Sequence, residues 1–338
     1  MRPRYPALSG TALALALAAV GCSVSADTFP PAGGATARAA TVTSCGKKLT
    51  FGEAPSKAVS LDQSSTESLL ELGVEARMAG TSNLKTEVGR DHADAYGAVP
   101  VLSPGILSGE QLRAATPDLV VSSFTDLYSK DRVGTREELG RLGVPTYVSA
   151  VDCPQRNDPG KTPFDLLFDD FRNLGEIFGV EERAEELVRE QRAAVGKAAR
   201  TGRAVTGAPT VVWLYSVYNA MPYVAGRGGM PSEMSRLLGA RNVFDDVNAD
   251  WPEVSWEEIA DRDPDIIVIG DLSERGAPGD SAEDKRATMR GEPAVSALTA
   301  LRENRVIEVP GIEMDPSVRT VNTLRLLAEG MKDLGHVR

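Results

Sequence analysis

Histidine is close to absent from this chain: two occur in 338 residues, His92 in a polar stretch and His336 near the end. Two histidines so far apart do not readily build a His and carboxylate site for a bare zinc or manganese ion, and no metal ligand is assigned. The same shortage argues against Ser-His-Asp and Cys-His catalysis, because no nucleophile motif surrounds His92 and His336 is terminal. Positive charge is also in the minority, with 37 Lys and Arg against 48 Asp and Glu and a formal net charge of -11. That balance disfavours nucleic acid and a basic membrane-binding face. After residue 20 no apolar run is long enough to span a bilayer. The glycine-rich run AGRGGM at Ala225–Met230 lacks the spacing of a dinucleotide or P-loop fingerprint, and suits a turn or a backbone approaching a ligand. The chain is therefore read as a non-enzyme. The competing class is an extracytoplasmic hydrolase or lyase working through paired carboxylates, which needs no histidine.

What is present starts with Arg2 and Arg4, an apolar run from Thr11 to Val20, then Gly21 and Cys22. This is the order of a secretory signal. Ala19, Val20 and Gly21 directly before Cys22 resemble the lipobox of bacterial lipoproteins, in which the cysteine is acylated and becomes the new N-terminus. Ala19 stands where leucine is usual; the alternative is an ordinary signal peptide cut nearby, with Cys22 discarded. Residues 1–21 are read as signal peptide and 22–44, rich in Ser, Ala, Thr, Gly and Pro, as a flexible tether. Attachment then rests on the lipid alone. Of the three cysteines, Cys45 and Cys153 remain, and outside the reducing cytosol they are expected to pair; two buried free thiols are the alternative.

Two stretches look like versions of one another. ESLLELG (Glu67–Gly73) is followed later by LRAATPDLVVSS, and SEMSRLLG (Ser232–Gly239) later by EEIADRDPDIIVIG. Each reads as a helix closed by glycine, then a helix, a Pro-Asp pair and a buried strand. The runs DLVVS and DIIVIG are too short for core helices and suit parallel strands covered on both faces. PTYVS and RVIEV add one strand to each half. Alternating helices and such strands give α/β architecture in two lobes, at 45–160 and 206–338. Between them, apolar residues from Leu167 to Val195 keep helical spacing, so residues 161–205 are expected to form one long linking helix, rising about 1.5 Å per residue. The segment from Asp280 to Glu292 is read as a polar loop.

The sequence resembles the periplasmic binding proteins of iron-siderophore, haem and cobalamin importers. The resemblance is most specific in PYVAGRGGMPSEMSRLLGARNVFDD and WPEVSWEEIADRDPDIIVIG, and KAVSLDQSSTESLLELGVEARMAGT adds a second match. It implies two Rossmann-like lobes joined by a single long helix with a ligand cleft between them, and a role in capturing a chelate for an ABC importer. It also implies one acidic residue on each lobe that pairs with permease arginines. Glu257 in VSWEEI matches for the second lobe; Glu137 in TREELGRLG is the choice for the first, with Glu138 and Asp131 as alternatives.

Ligands of α/β proteins bind outside the C-terminal ends of the strands. That rule selects Asp62, Ser64, Ser65 and Thr66 after AVSL, and Ser123 and Phe124 after DLVV. In the second lobe it selects Tyr215 and Tyr218 after TVVWL, Arg227, Asp271 after IIVIG, and Arg319 beyond RVIEV, with Glu313 and Asp315 near it. Ser65 and Thr66 have a competing role as helix N-caps, and Trp213 and Trp251 a competing role as core. Aromatic faces, hydroxyls and a few charges suit a metal chelate. No clustered basic pocket is visible, which favours a neutral or cationic hydroxamate-type ferric siderophore over a trianionic catecholate. Cobalamin and haem are the alternatives, with Tyr215 or Tyr218 as an axial ligand for haem. No resident cofactor is expected, and the chain is read as a monomer. A receptor that senses the chelate without transport is a further reading.

Overall fold

The computed structural model describes residues 39–156, 158 and 160–337. The signal segment, Cys22 and most of the tether lie outside the described residues. The tether ends before residue 44, because Ala40–Ser44 (β1) pairs antiparallel with Lys47–Phe51 (β2). Ala40, Val42 and Ser44 are buried and Thr41 and Thr43 exposed, the period of a half-covered strand. Composition hid this strand, since alternation and not hydrophobicity defines it. Cys45 and Gly46 both have positive φ, as a two-residue hairpin turn requires. Cys45 is joined to Cys153 by a disulfide with Cα atoms 5.6 Å apart, which ties the hairpin to the end of the first lobe.

The first lobe contains Ala58–Ser60 (β3), Gln63–Glu71 (α1), Met78–Ser82 (β4), Ala93–Ala98 (α2) and Val101–Ser103 (β5). It continues through Gly109–Ala114 (α3), Leu119–Ser122 (β6), Arg136–Arg141 (α4) and Thr146–Val148 (β7). Its five strands are parallel, in the order β5-β4-β3-β6-β7.

The connector differs from one continuous helix. Pro163–Phe178 (α5) stops at Gly179, whose φ of 70° caps it, and Glu181–Gly202 (α6) runs back along it. Arg172 reaches Glu185 at 2.6 Å and Arg192 approaches Asp165 at 3.7 Å, which fixes the two helices as antiparallel. The helical spacing was real, but Gly179 interrupts it. α6 runs from one lobe to the other: Arg183 near its start binds Glu71 of the first lobe at 2.5 Å. Gly202 at its end lies so close to the second lobe that a Cβ there would sit 2.1 Å from the Leu237 carbonyl. With 22 residues, α6 is about 33 Å long.

The second lobe runs through Thr210–Tyr218 (β8), Met221–Val224 (β9), Met230–Leu237 (α7), Arg241–Asn242 (β10) and Trp256–Arg262 (α8). Ile266–Asp271 (β11), Ala282–Gly291 (α9), Thr299–Arg302 (α10), Val306–Pro310 (β12) and Thr320–Asp333 (α11) complete it. The strand order is β10-β8-β11-β12, parallel, with β9 antiparallel on β8. The segment read as a polar loop is thus largely α9. Ser281 caps it, and its apolar anchoring is reduced to Ala282, Met289 and the stem of Lys285. The Lys285 ammonium is buried against the carbonyls of Gly270 and Asp280 at 2.6 and 2.7 Å, and burial lowers its pKa to about 8.

The internal duplication is physical. Gly73 and Gly239 close their helices with the same φ of 69°. Asp118 accepts hydrogen bonds from the N–H groups of Ser56 and Lys57, and Asp265 from the N–H and hydroxyl of Thr210. Each Pro-Asp pair therefore uses its carboxylate to hold the start of the neighbouring strand, β3 in one lobe and β8 in the other.

Candidate functional site

In each sheet the strand order reverses beside its first strand, between β3 and β6 and between β8 and β11, and loops leaving that point frame a crevice. The two crevices face one another. A cavity of about 670 Å³ lies between the lobes, bounded by Lys85, Ile106 and Phe124 on one side and Tyr215, Tyr218 and Trp251 on the other. The Tyr215 and Trp251 rings pack with centroids 4.4 Å apart, and the Lys85 ammonium sits 4.2 Å over the Phe124 ring.

At the floor of this cavity Lys85 donates to Asp315 at 3.1 Å and to the Tyr215 hydroxyl at 2.9 Å, and Tyr215 donates to Asp315 at 3.1 Å. All three side chains are buried. Burial opposes the Lys85 charge, yet Asp315, Tyr215 and Asp62 hold its pKa above the usual lysine value. Burial also raises the Tyr215 phenol, with Asp315 adding to it. The pair joins the lobes, as does Arg319, which reaches Glu313 at 3.1 Å in its own lobe and Glu67 at 3.3 Å in the other.

The cations lining the cavity are all neutralised: Lys85 by Asp315, Arg132 by Asp126 at 2.6 Å and Arg275 by Asp280 at 3.1 Å. Asp152 from the first lobe and Asp250 from the second both line the cavity. Burial raises the Asp152 pKa to about 7; Asp250 and Asp126 add to this, and a hydrogen bond from the Thr125 N–H at 2.5 Å opposes it.

Phe124, Tyr215 and Tyr218, expected from the sequence, are brought together here; Tyr218 is 59% exposed. Trp251, given a competing core reading, lines the cavity, whereas Trp213 is fully buried and donates to Ser235. Asp62, Ser64, Ser65 and Thr66 do not face it. Asp62 is fully buried as the N-cap of α1, accepting from Ser65 N–H at 2.9 Å, Ser122 hydroxyl at 2.9 Å and Ser123 N–H at 2.8 Å. Thr66 bonds Thr81 and the Asp62 carbonyl, and Ser64 and Ser65 are covered beside it. Asp62, and not Ser65 or Thr66, is therefore the N-cap: α1 begins at Gln63, and both hydroxyls sit inside its first turn and donate to the Asp62 carbonyl. Ser123 is buried and its hydroxyl reaches the Pro316 carbonyl of the other lobe at 3.4 Å. Asp271 is likewise spent, accepting from the Ser273 hydroxyl and the Ala282 N–H, and with Arg319 it borders a separate cavity of about 460 Å³. Arg227 lines a chamber of about 730 Å³ that adjoins the first cavity.

Lys85 was missed. The signal existed, since Lys85 follows β4 as Asp62 follows β3, but MAGTS was not recognised as a strand.

Glu137 and Glu257 occupy equivalent positions. Thr135 and Glu138 form a capping box on α4, and Ser255 and Glu258 form one on α8. Glu137 and Glu257 are thus each the second residue of a capped helix and exposed. Glu138, the alternative, is occupied by the Thr135 N–H at 2.9 Å. Glu137 pairs with Lys47 at 2.5 Å, and that hydrogen bond lowers its pKa.

The model of a family described as periplasmic binding protein matches residues 59–312. Among curated proteins, the vitamin B12-binding protein of Pectobacterium carotovorum is 29% identical over 90 residues, covering 26% of this chain and 32% of that protein. The vitamin B12-binding protein of Yersinia pestis is 26% identical over 161 residues, 47% of this chain and 51% of that one. The matched part of the chain thus spans about half of these curated relatives at most. A periplasmic binding protein from Veillonella parvula, of known structure, is 30% identical with a TM-score of 0.71, covering 88% of this chain and 98% of that one. An ABC-type Fe3+-hydroxamate transport system structure from Saccharomonospora viridis shares the fold at 23% identity and TM-score 0.73, covering 86% and 98%.

Proposed function

Because the chain belongs to the periplasmic binding protein family, we propose that it captures a ferric siderophore outside the cytoplasm, hydroxamate-type being favoured, and delivers it to the permease of an ABC importer. The observation that carries this reading is the aromatic inter-lobe cavity whose lining cations are all paired with carboxylates. Tyr215, Tyr218, Phe124 and Trp251 offer faces to the apolar periphery of a chelate. With no free cation there, a compact trianionic chelate finds nothing to neutralise it, whereas a neutral or cationic hydroxamate complex needs no such partner.

Trp251 makes the test direct. The purified protein is titrated with ferric hydroxamate and catecholate chelates, haem and cobalamin while tryptophan fluorescence is followed. Saturable quenching at one ligand per chain, with the hydroxamate complex bound tightest and recovered unchanged, is the expected result. Turnover of the ligand favours the hydrolase or lyase class, and tightest binding of haem or cobalamin replaces the siderophore reading.

Delivery rests on Glu137 and Glu257. Their matching positions on capped helices, one per lobe, suit a pair of arginines on a membrane partner. Cys22 would supply the lipid anchor, and a monomer presents both lobes to the partner at once.

A further inference from the structure

Lys285 is fully buried on α9, and the acceptors of its ammonium among the described residues are two main-chain carbonyls, Gly270 at 2.6 Å and Asp280 at 2.7 Å. Gly270 lies at the end of β11, and Asp280 stands directly before Ser281, the cap of α9. The ammonium therefore bridges both feet of the loop that joins β11 to α9. The Leu272 N–H donates to the same Asp280 carbonyl at 3.0 Å, which closes the loop at its base. A desolvated ammonium held by carbonyls is unfavourable, as the lowered pKa records; Asp280, Asp271 and Asp284 oppose that effect and Arg275 adds to it. An apolar side chain would fill the same space without that cost, so packing alone does not account for a lysine here.

The loop needs an outside hold. Every residue from Ser273 to Pro278 is exposed, and Leu272 and Asp280 are its buried ends, so it has no apolar core of its own. It nonetheless supplies Glu274 and Arg275 to the wall of the aromatic cavity. Asp280 makes the connection: its carboxylate pairs with Arg275 at 3.1 Å and accepts from the hydroxyl of Ser216, another wall residue, at 3.2 Å, while its carbonyl is held by Lys285. A chain of contacts thus runs from α9 through Asp280 to two residues that face the cavity.

We infer that Lys285 is a positioning residue: it clasps the two ends of the Leu272–Asp280 loop and, through Asp280, sets where Arg275 and Ser216 stand in the cavity wall. Lys285 itself does not line the cavity. Its effect on binding rests on the ferric-siderophore reading above, whereas the clasp does not.

The full chain is compared with Lys285→Met and with Lys285→Cys, the latter before and after alkylation by 2-bromoethylamine in urea and refolding. Alkylation restores an ammonium on a thioether of nearly the lysine length, and the parent treated identically is the control. Amide exchange is followed by mass spectrometry without ligand, and affinity for ferrioxamine B, a linear ferric trihydroxamate, by tryptophan quenching. Exchange over residues 272–280 should rise about tenfold in Lys285→Met and in the unalkylated cysteine variant, with first-lobe peptides unchanged, and should return to the parent rate on alkylation. Affinity for ferrioxamine B should fall about tenfold and recover in parallel. Where Lys285→Met does not fold, Lys285→Gln, uncharged and still an N–H donor, should show a smaller rise at the same residues. Unchanged exchange in the loop, or a uniform rise in every peptide, overturns the clasp. Faster loop exchange with unchanged affinity overturns the positioning role. If ferrioxamine B does not bind the parent, the siderophore reading is what fails, and exchange alone decides the clasp.

Discussion

Lys85 and Asp315 meet across the two lobes, Nζ to Oδ2 3.1 Å, with both side chains almost entirely sealed from solvent. A buried pair of this kind is weak evidence for added stability, but removing one member leaves an uncompensated charge in a low-dielectric setting. Lys85→Met is therefore expected to cost about 3–5 kcal/mol, read by urea unfolding. Adding Asp315→Asn should recover much of that loss. If the double variant is no more stable than Lys85→Met, the pair is not the coupling unit described.

Asp152 gives a pH dependence with a definite sign. An aspartate ordinarily titrates at 3.8, and burial raises Asp152 in the fold to about 7. Between those values the folded state holds a proton that the unfolded chain has released, so the contribution of Asp152 to stability falls as pH rises through that window. Asp152→Asn keeps an acceptor for Thr125 and removes the titration. Its melting temperature should fall less than that of the parent between about pH 5 and about pH 8. Asp170, fully buried and titrating at about 6, leaves a residual slope in both proteins. Identical profiles for parent and variant would falsify the assignment.

Trp251 faces the cavity and Trp213 is core, so their replacements should separate. Trp251→Leu is expected to weaken chelate binding by roughly tenfold or more, as loss of a central aromatic anchor does, and to abolish most of the ligand-induced quenching. Trp213→Phe should instead lower stability, measured by thermal melting, with the quenching signal retained.

Glu257 makes no ion pair or hydrogen bond through its side chain among the described residues, and it is exposed. Glu257→Arg should leave ligand affinity and melting temperature near those of the parent while uptake in cells is lost. Glu137→Arg should act similarly, with a small stability cost from the broken contact to Lys47. Normal uptake in both charge-reversed variants removes these glutamates from the docking role.

The disulfide between Cys45 and Cys153 closes a loop with a sequence separation of 108. Its removal as a Cys45→Ser/Cys153→Ser variant should cost about 2–5 kcal/mol. The β1–β2 hairpin should show the largest rise in amide exchange, because that bridge is its covalent tie to the lobe.

Much of the architecture is written locally. Continuous apolar runs such as DLVVS and DIIVIG become β6 and β11 because each is covered on both faces, and Pro-Asp marks both starts because the carboxylate holds the strand alongside. Cys45 and Cys153 were legible from their number and compartment. The connector was half legible: its apolar spacing is that of a helix, but Gly179 turns it into an antiparallel pair whose second member, α6, runs from one lobe to the other.

The sequence by itself determined two duplicated α/β halves, the buried strands β6 and β11, the glycines that close α1 and α7, and the family. It also placed Phe124, Tyr215 and Tyr218 after strands, where a ligand cleft forms. Only the tertiary structure decided which polar residues near that cleft remain available. Asp62, Ser65 and Thr66 are consumed by backbone donors and acceptors, because a helix N-terminus at the base of a buried crevice must satisfy its own polar groups before it meets a ligand. Lys85 with Asp315, and Arg319 with Glu67, are each contributed by both lobes. Their encounter depends on how two folded bodies face each other, a relation that neither periodicity nor local spacing encodes.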